Sequence, residues 1–433
     1  MRILDTTQPR FWSQLEAFCA AAQADPALVR RVAAIIAGVR RSGDAAVRRY
    51  TRKFDGVDVP PSALRVPVTE ILDAAQRLTR AERAAFTEAV RCVRAFHLRT
   101  LPRNWRARNP HGAIVGENFY PLRRVGINVP GGQVPLVSTV IMTCVLAQLA
   151  GVREIAVCTP PDKQGGTNRG LLAALSFCGV NEVYRMGGVQ AMAAFAFGTA
   201  SIPAVDKLCG PGNAYTIEAK RQLYGLAGVD LLPGPSEVLV LADATANPRW
   251  LALDLLAQAE HGTGKERLFF ISTNRSVLNQ TLKEVARLAP QFSAGNHLAD
   301  VLKKGFLAIL AENLDEAAAV ANFLAPEHLE LHVRRSALDV LALKITTAGA
   351  ILQGSHTPTV LGDFTAGPSH TLPTGRTGRF FSGLRLTDFL RRSSIVRYEP
   401  KSLQRAANVV AAFSTLESLP AHGQSLRARL GQH

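Results

Sequence analysis

The chain has 433 residues, 47% hydrophobic and 19% charged, with 34 glycines and 24 prolines. That length exceeds a single ordinary core, and the composition excludes a disordered or fibrous chain. A net charge of +16, from 50 Lys plus Arg against 34 Asp plus Glu, permits an anionic partner, yet no zinc finger, helix-turn-helix signature or aromatic stacking platform accompanies it, so nucleic acid is not the expected partner.

From Met1 to about Leu101 the pattern is mostly helical. Val32, Ile35, Ile36 and Val39 keep helical spacing within a helix expected over Leu28 to Tyr50, and the arginine doublets beside them read as its solvated face. Ser42 to Asp44 signals a helix start and Asp55-Gly56 a turn. From Gly112 to about Val240, strand-like runs (RRVGINV, REIAVCT, EVYRMGG, VDKLCG) alternate with helical ones, the pattern of a parallel sheet with helical crossovers. The uncharged run Val134 to Val152 is about as long as a bilayer span. Pro135, Ser138, Thr139, Thr143 and Gln148 interrupt it, so we read it as a buried helix and expect no membrane association. The alternation resumes with VLVLAD, RLFFIST, FLAILA and ILQG as a second α/β unit. After about Thr387 the remaining stretch is too short for a domain and reads as an appendage, suited to packing on another subunit.

Cys19, Cys92, Cys144, Cys158, Cys178 and Cys209 form no CxxC pair, which suits a reducing compartment. The start MRILDTTQPRFW carries no apolar export segment, so a cytoplasmic location is the expectation.

Standard nucleotide fingerprints fail. No GxGxxG follows a strand, and HGTGKE at His261 to Glu266 has Ala259 where a P-loop needs glycine. Glycine-rich turns nevertheless follow strands at Val129 to Pro135, Met186 to Ala191, Cys209 to Tyr215 and Pro233 to Glu237. Such turns let a ligand approach backbone N–H groups, although any tight turn favours glycine. Gln258 and His261, three apart on a helix, share a face and could hold one metal ion, with Asp363, His370, Glu417 and His422 as further polar candidates; a lone histidine at a helix end is more often a cap. Such a nitrogen and oxygen donor set suits Zn²⁺. Adjacent Glu327 and His328 supply two proton-transfer groups of different pKa, or else a satisfied pair at a strand start. HLELH, from His328 to His332, alternates like a strand and lacks the order of a zinc-protease motif.

Taken together, GDAAVRRYTRKFDG, RRVGINVPGG, GGVQAMAAFAFGT, VDKLCGPGNAY, GPSEVLVLAD, QAEHG, LAPEHLEL, GDFTAGPSHTLPT, SGLRLTDFL and LESLPAH resemble the histidinol dehydrogenase family over nearly the whole chain. The resemblance implies an α/β homodimer of two incomplete Rossmann-like parallel-sheet domains, with a helical N-terminal arm (1–25), a discontinuous first domain (26–128 and 238–386), a second domain (129–237) and a swapped C-terminal appendage (387–433). It also implies one Zn²⁺ per subunit and NAD, oxidising L-histidinol through L-histidinal to L-histidine. Carried over residue by residue, Gln258, His261, Asp363 and His422 would bind the metal. Glu327 and His328 would move protons. Ser236, His370 and Glu417 would join His328 and the metal ligands around the substrate, and Glu417 and His422 would reach a partner subunit's site. NAD contacts would fall on Gln190 and Asn213, and on Asn128, which stands where the family commonly offers tyrosine. Ser369 replaces the usual Asn, and Ser418 the usual Gly. Two other readings are a paralogous zinc and NAD enzyme for another polar alcohol, such as a sulfonated propanediol, and a basic binding protein without catalysis on the same scaffold.

Overall fold

The computed structural model describes residues 2–20, 26–131, 135–261, 264–292 and 297–431. The helix-rich first quarter contains β1 (Arg2–Asp5), α1 (Phe11–Cys19), α2 (Pro26–Asp55), α3 (Pro61–Leu64), α4 (Val68–Gln76) and α5 (Arg80–Leu98). A hairpin follows, β2 (Trp105–Arg108) and β3 (Ile114–Pro121). The first alternating run comprises β4 (Arg124–Asn128), α6 (Val137–Leu149), β5 (Glu154–Thr159), α7 (Arg169–Phe177), β6 (Glu182–Arg185), α8 (Gly188–Phe197), β7 (Lys207–Cys209), α9 (Ala214–Leu223) and β8 (Gly228–Val229). The second comprises β9 (Glu237–Ala242), α10 (Pro248–Ala259), β10 (Arg267–Ser272), α11 (Arg275–Phe292), α12 (Leu298–Asp300), β11 (Phe306–Leu310), α13 (Leu314–Leu324), β12 (His328–His332), α14 (Arg335–Lys344), β13 (Ala350–Gln353) and α15 (Thr359–Phe364). Finally come β14 (Leu390–Arg397), α16 (Pro400–Leu416) and α17 (Pro420–Arg429).

Two parallel sheets result, ordered β1-β11-β10-β9-β12-β13 and β6-β5-β4-β7-β8. Apart from β1, each starts at an inner strand, adds two neighbours on one side and then crosses to the other. That is the doubly wound order 3-2-1-4-5, one strand short of a full Rossmann sheet, as expected. Both faces of each sheet are covered, which is why the strands read as nearly continuous apolar runs. In the first sheet Leu239, Leu241, Phe269 and Ile271 pack toward α1 and α13, while Val238, Val240, Leu268 and Phe270 pack toward α10 and α11.

The long uncharged run is a buried 13-residue helix, α6, whose Thr143 hydroxyl donates to the Thr139 carbonyl at 2.6 Å and so needs no solvent. Among the described residues no helix is long and apolar enough to cross a membrane. The expected helix start at Ser42 to Asp44 marks a kink inside α2, where Gly43 has φ +47°. All six cysteines are free.

Domain boundaries differ from expectation in two places. Residues 2–5 are no free arm: β1 pairs in parallel with β11, and Phe11 and Leu15 of α1 enter the first core. The segment from 26 to 128 does not join 238–386 either. Helices α2, α4 and α5 lay their apolar faces on α8, α7 and α6, and β4 belongs to the second sheet, so this segment builds the second domain. The reason lies in the helix stripes, since Val32, Ile35, Val39 and Val47 are buried against Met192, Phe195 and their neighbours. At the other end, β14 pairs antiparallel with β3 along its whole length, from Leu390↔Pro121 to Arg397↔Ile114. Asn109 donates to the Tyr398 hydroxyl at 2.9 Å, which ties the appendage to this hairpin.

Candidate active site

At the amino ends of β9 and β12, neighbours in the first sheet, Glu327 and His328 are almost completely buried. The backbone N–H of Glu237 donates to Glu327 Oε2 at 2.8 Å, and His328 Nδ1 lies 3.8 Å from that oxygen and 3.4 Å from the Glu237 carbonyl. Burial, with Glu237 and Asp363 adding, pushes the Glu327 carboxyl well above the usual range. Burial likewise drives His328 down to about 4, with His370 and His261 contributing. At neutral pH the imidazole is therefore uncharged and able to accept a proton. Ser236 is half-buried one residue before β9, next to this pair.

Helix α10 ends at the same edge. Its Gln258 is buried, and the amide oxygen Oε1 has no hydrogen-bond partner among the described residues. His261 Nδ1 lies 3.1 Å from the Gln258 carbonyl and 3.5 Å from Gln258 Nε2. Asp363, at the end of α15, is pushed up to about 6 by burial, opposed by His261. Gln258 Nε2 touches the His261 ring and His261 acts electrostatically on Asp363, so an amide oxygen, an imidazole and a carboxylate lie in this region as donor types that suit a divalent cation. His370 lies 3.0 Å from Ser138 Oγ of α6, and burial, then His261, lowers it to about 4. The Ser369 hydroxyl donates to the Met142 carbonyl at 3.1 Å. Through both residues the FTAGPSH loop joins the site to the second domain.

Glu417 and His422 do not belong to this buried cluster. Both are solvent-exposed on the C-terminal appendage, whose start, at Asp388 and Phe389, is held by the second domain and whose later part is tied to the β2–β3 hairpin.

Asn128, Gln190 and Asn213 gather at the carboxyl edge of the second sheet. Asn128 ends β4 and Asn213 precedes α9 after β7; these adjacent strands are the point where strand order reverses, the usual dinucleotide crevice. Asn128 Nδ2 donates to the Pro211 carbonyl at 2.6 Å, so this side chain ties the end of β4 to the turn before α9. Asn213 Oδ1 caps α9 by accepting from Tyr215 N and Thr216 N at 3.0 and 3.1 Å, and Gln190 is buried in the first turn of α8. Gly210 has φ +96°, and a Cβ there would clash with the Asn128 carbonyl oxygen, so only glycine fits. Residues 132–134 of the VPGGQVP turn, and Gly262 and Thr263 after His261, lie outside the described residues.

The sequence reading overlooked one buried polar group. Asp254, Glu330 and His332 bring their ligand atoms within 4.8 Å of one another. The alternation of HLELH carried a signal, because it puts Glu330 and His332 on the His328 face of β12, and Asp254 precedes Gln258 by one helical turn. Read only as a strand pattern, that alternation gave no reason to expect an acid inside it.

The family model for histidinol dehydrogenase matches residues 20–430. The histidinol dehydrogenase of Ruegeria pomeroyi is 41% identical over 432 residues, 99% of this chain and 98% of the relative. That of Geobacter sulfurreducens is 41% identical over 99% of this chain and 100% of its own length. The crystal structure of histidinol dehydrogenase from Elizabethkingia anophelis superposes with a TM-score of 0.93 at 31% identity, covering 100% of this chain and 98% of that one. An acetylating aldehyde dehydrogenase from Geobacillus thermoglucosidasius, with a TM-score of 0.50 at 12% identity over 89% of this chain and 96% of that one, shares the fold alone. With motifs, sheet order and full-length similarity in agreement, the chain belongs to the histidinol dehydrogenase family.

Proposed function

We propose that this protein oxidises L-histidinol through L-histidinal to L-histidine with two NAD⁺, at a site holding one Zn²⁺. The observation that carries the reading is the electrostatic proximity of His261 and Asp363 to Glu327 and His328, with Gln258 against His261. The donor set fits zinc, since Gln258 Oε1 is a buried acceptor with no partner among the described residues and would leave an unpaid desolvation cost of ~1–3 kcal/mol without one. Bound there, zinc supplies orientation and electrostatic stabilisation without redox change, and NAD⁺ in the second-sheet crevice is the hydride acceptor.

The chain's own groups divide the proton work. His328, neutral at physiological pH, takes the alcohol proton as the first hydride leaves. Glu327, once ionised, takes a proton from the water that adds to the aldehyde, and the hydrate would give its hydride to the second NAD⁺ as a hydroxyl proton passes to His328, which has by then released the first proton to solvent. Ser236 and His370 contact the polar end of the substrate. Glu417 and His422 complete the pocket from the partner subunit, so the functional unit is a homodimer. Their exposure in a single chain supports this arrangement.

A zinc-loaded assay against L-histidinol and a panel of other alcohols, a sulfonated propanediol included, tests the reading. Two NADH per histidinol are expected. Turnover of another alcohol alone would move the assignment to a paralogous activity, and salt-sensitive DNA binding without NADH formation would move it to a binding protein.

A further inference from the structure

We infer that Glu330 is a positioning residue, and that Asp254, Glu330 and His332 form a polar brace aligning the three elements that carry the site. This inference rests on the function proposed above. Glu330 sits in the middle of β12 and is completely buried. Its Oε1 accepts from both the backbone N–H and the hydroxyl of Thr359, each at 2.6 Å. Its Oε2 lies 3.0 Å from His332 Nε2, which in turn is 3.6 Å from Asp254 Oδ2. One carboxylate thus ties β12 to α15, and through His332 the brace reaches Asp254 of α10 by a 3.6 Å electrostatic contact.

Each braced element carries a site group close to the brace. Asp254 is four residues before Gln258 on α10, and Thr359 is four residues before Asp363 on α15. His328 is two residues before Glu330 on the same strand face. The separation is about one helical turn, ~6 Å, or two strand residues, ~7 Å, so a tilt at the brace is passed almost undiminished to the donors. Three convergent acidic and imidazole groups could also be read as a second cation site. Glu330 argues against that, because both of its oxygens are already engaged by protein donors, and a cation would have to displace Thr359 or His332. Supporting hydrogen bonds of this kind typically change metal affinity 10–100-fold when removed.

The test uses the full-length protein, zinc alone and a competing chelator. Wild type is expected to bind one zinc per chain. Glu330→Leu, which removes both acceptor oxygens at similar size, should bind zinc about 10–100-fold more weakly. Thr359→Ala should weaken binding by a smaller factor and Thr359→Ser should restore it; this pair keeps the inference falsifiable if Glu330→Leu fails to fold. Urea unfolding of the metal-free proteins separates the roles, since a merely structural Glu330 would lower stability with zinc affinity unchanged, and that result overturns the inference. Two zinc ions per wild-type chain, the second lost in Glu330→Leu, would also overturn it in favour of a cation site. If wild type binds no zinc, the functional reading fails, and the brace is read from hydrogen exchange. Faster exchange of the 359–364 amides in Thr359→Ala than in wild type would support it, and equal exchange would refute it.

Discussion

Replacing Glu327 by Gln tests the division of proton work most directly. Gln keeps a carbonyl oxygen to accept the Glu237 N–H, which now reaches Glu327 Oε2 at 2.8 Å, so the fold and the His328 setting should survive. What disappears is the ionisable oxygen that would activate water. A general base contributes ~10² to 10⁴ in rate, equivalent to ~3–5 kcal/mol of barrier. That loss should fall on aldehyde oxidation, leaving alcohol oxidation within a few-fold of wild type. Because burial raises the Glu327 carboxyl, the aldehyde step in wild type should accelerate with pH as that group ionises, and this limb should vanish in the variant. Stopped-flow NADH formation with L-histidinol and with L-histidinal, each across a pH series, separates the half-reactions. An equal loss in both, or a retained alkaline limb, would refute the assignment.

Two further outcomes concern stability. Among the described residues, buried His97 has neither ring nitrogen hydrogen-bonded, and burial, then Arg385, lowers it from 6.5 to about 4. The folded state therefore binds fewer protons than the unfolded state between those values, and the stability from its neutral burial, present above pH 6.5, is lost as pH falls through 4. At most ~3 kcal/mol is involved, so His97→Leu should shift acid unfolding to lower pH while changing the neutral urea midpoint little; unchanged acid unfolding would contradict this account. Gly210→Ala should destabilise by ~2 kcal/mol or more through its positive φ and its contact with the Asn128 carbonyl, and should weaken NAD⁺ binding; unfolding and dinucleotide titrations that match wild type would count against the crevice assignment.

The sequence by itself determined most of the architecture, because strand and helix periodicity and glycine-marked turns are local properties. Every strand of the two alternating runs was legible except the two-residue β8, and α6 was recognisable as a buried helix rather than a span. Local pattern could not say which sheet each outer helix would cover. α2, α4 and α5 carry apolar stripes that either domain could bury, and only packing against α6, α7 and α8 assigned them to the second domain. β1 is four residues long, too short to show a period, and only its ladder with β11 made it an edge strand. The site divides along the same line. Glu327, His328, Gln258, His261 and Asp363 could be named from motifs, but their meeting required two helix ends and a strand start to share one sheet edge. The Asp254–Glu330–His332 brace emerged only in three dimensions, since contacts between separate elements, such as Glu330 with Thr359 and His332 with Asp254, leave no periodic trace in the chain.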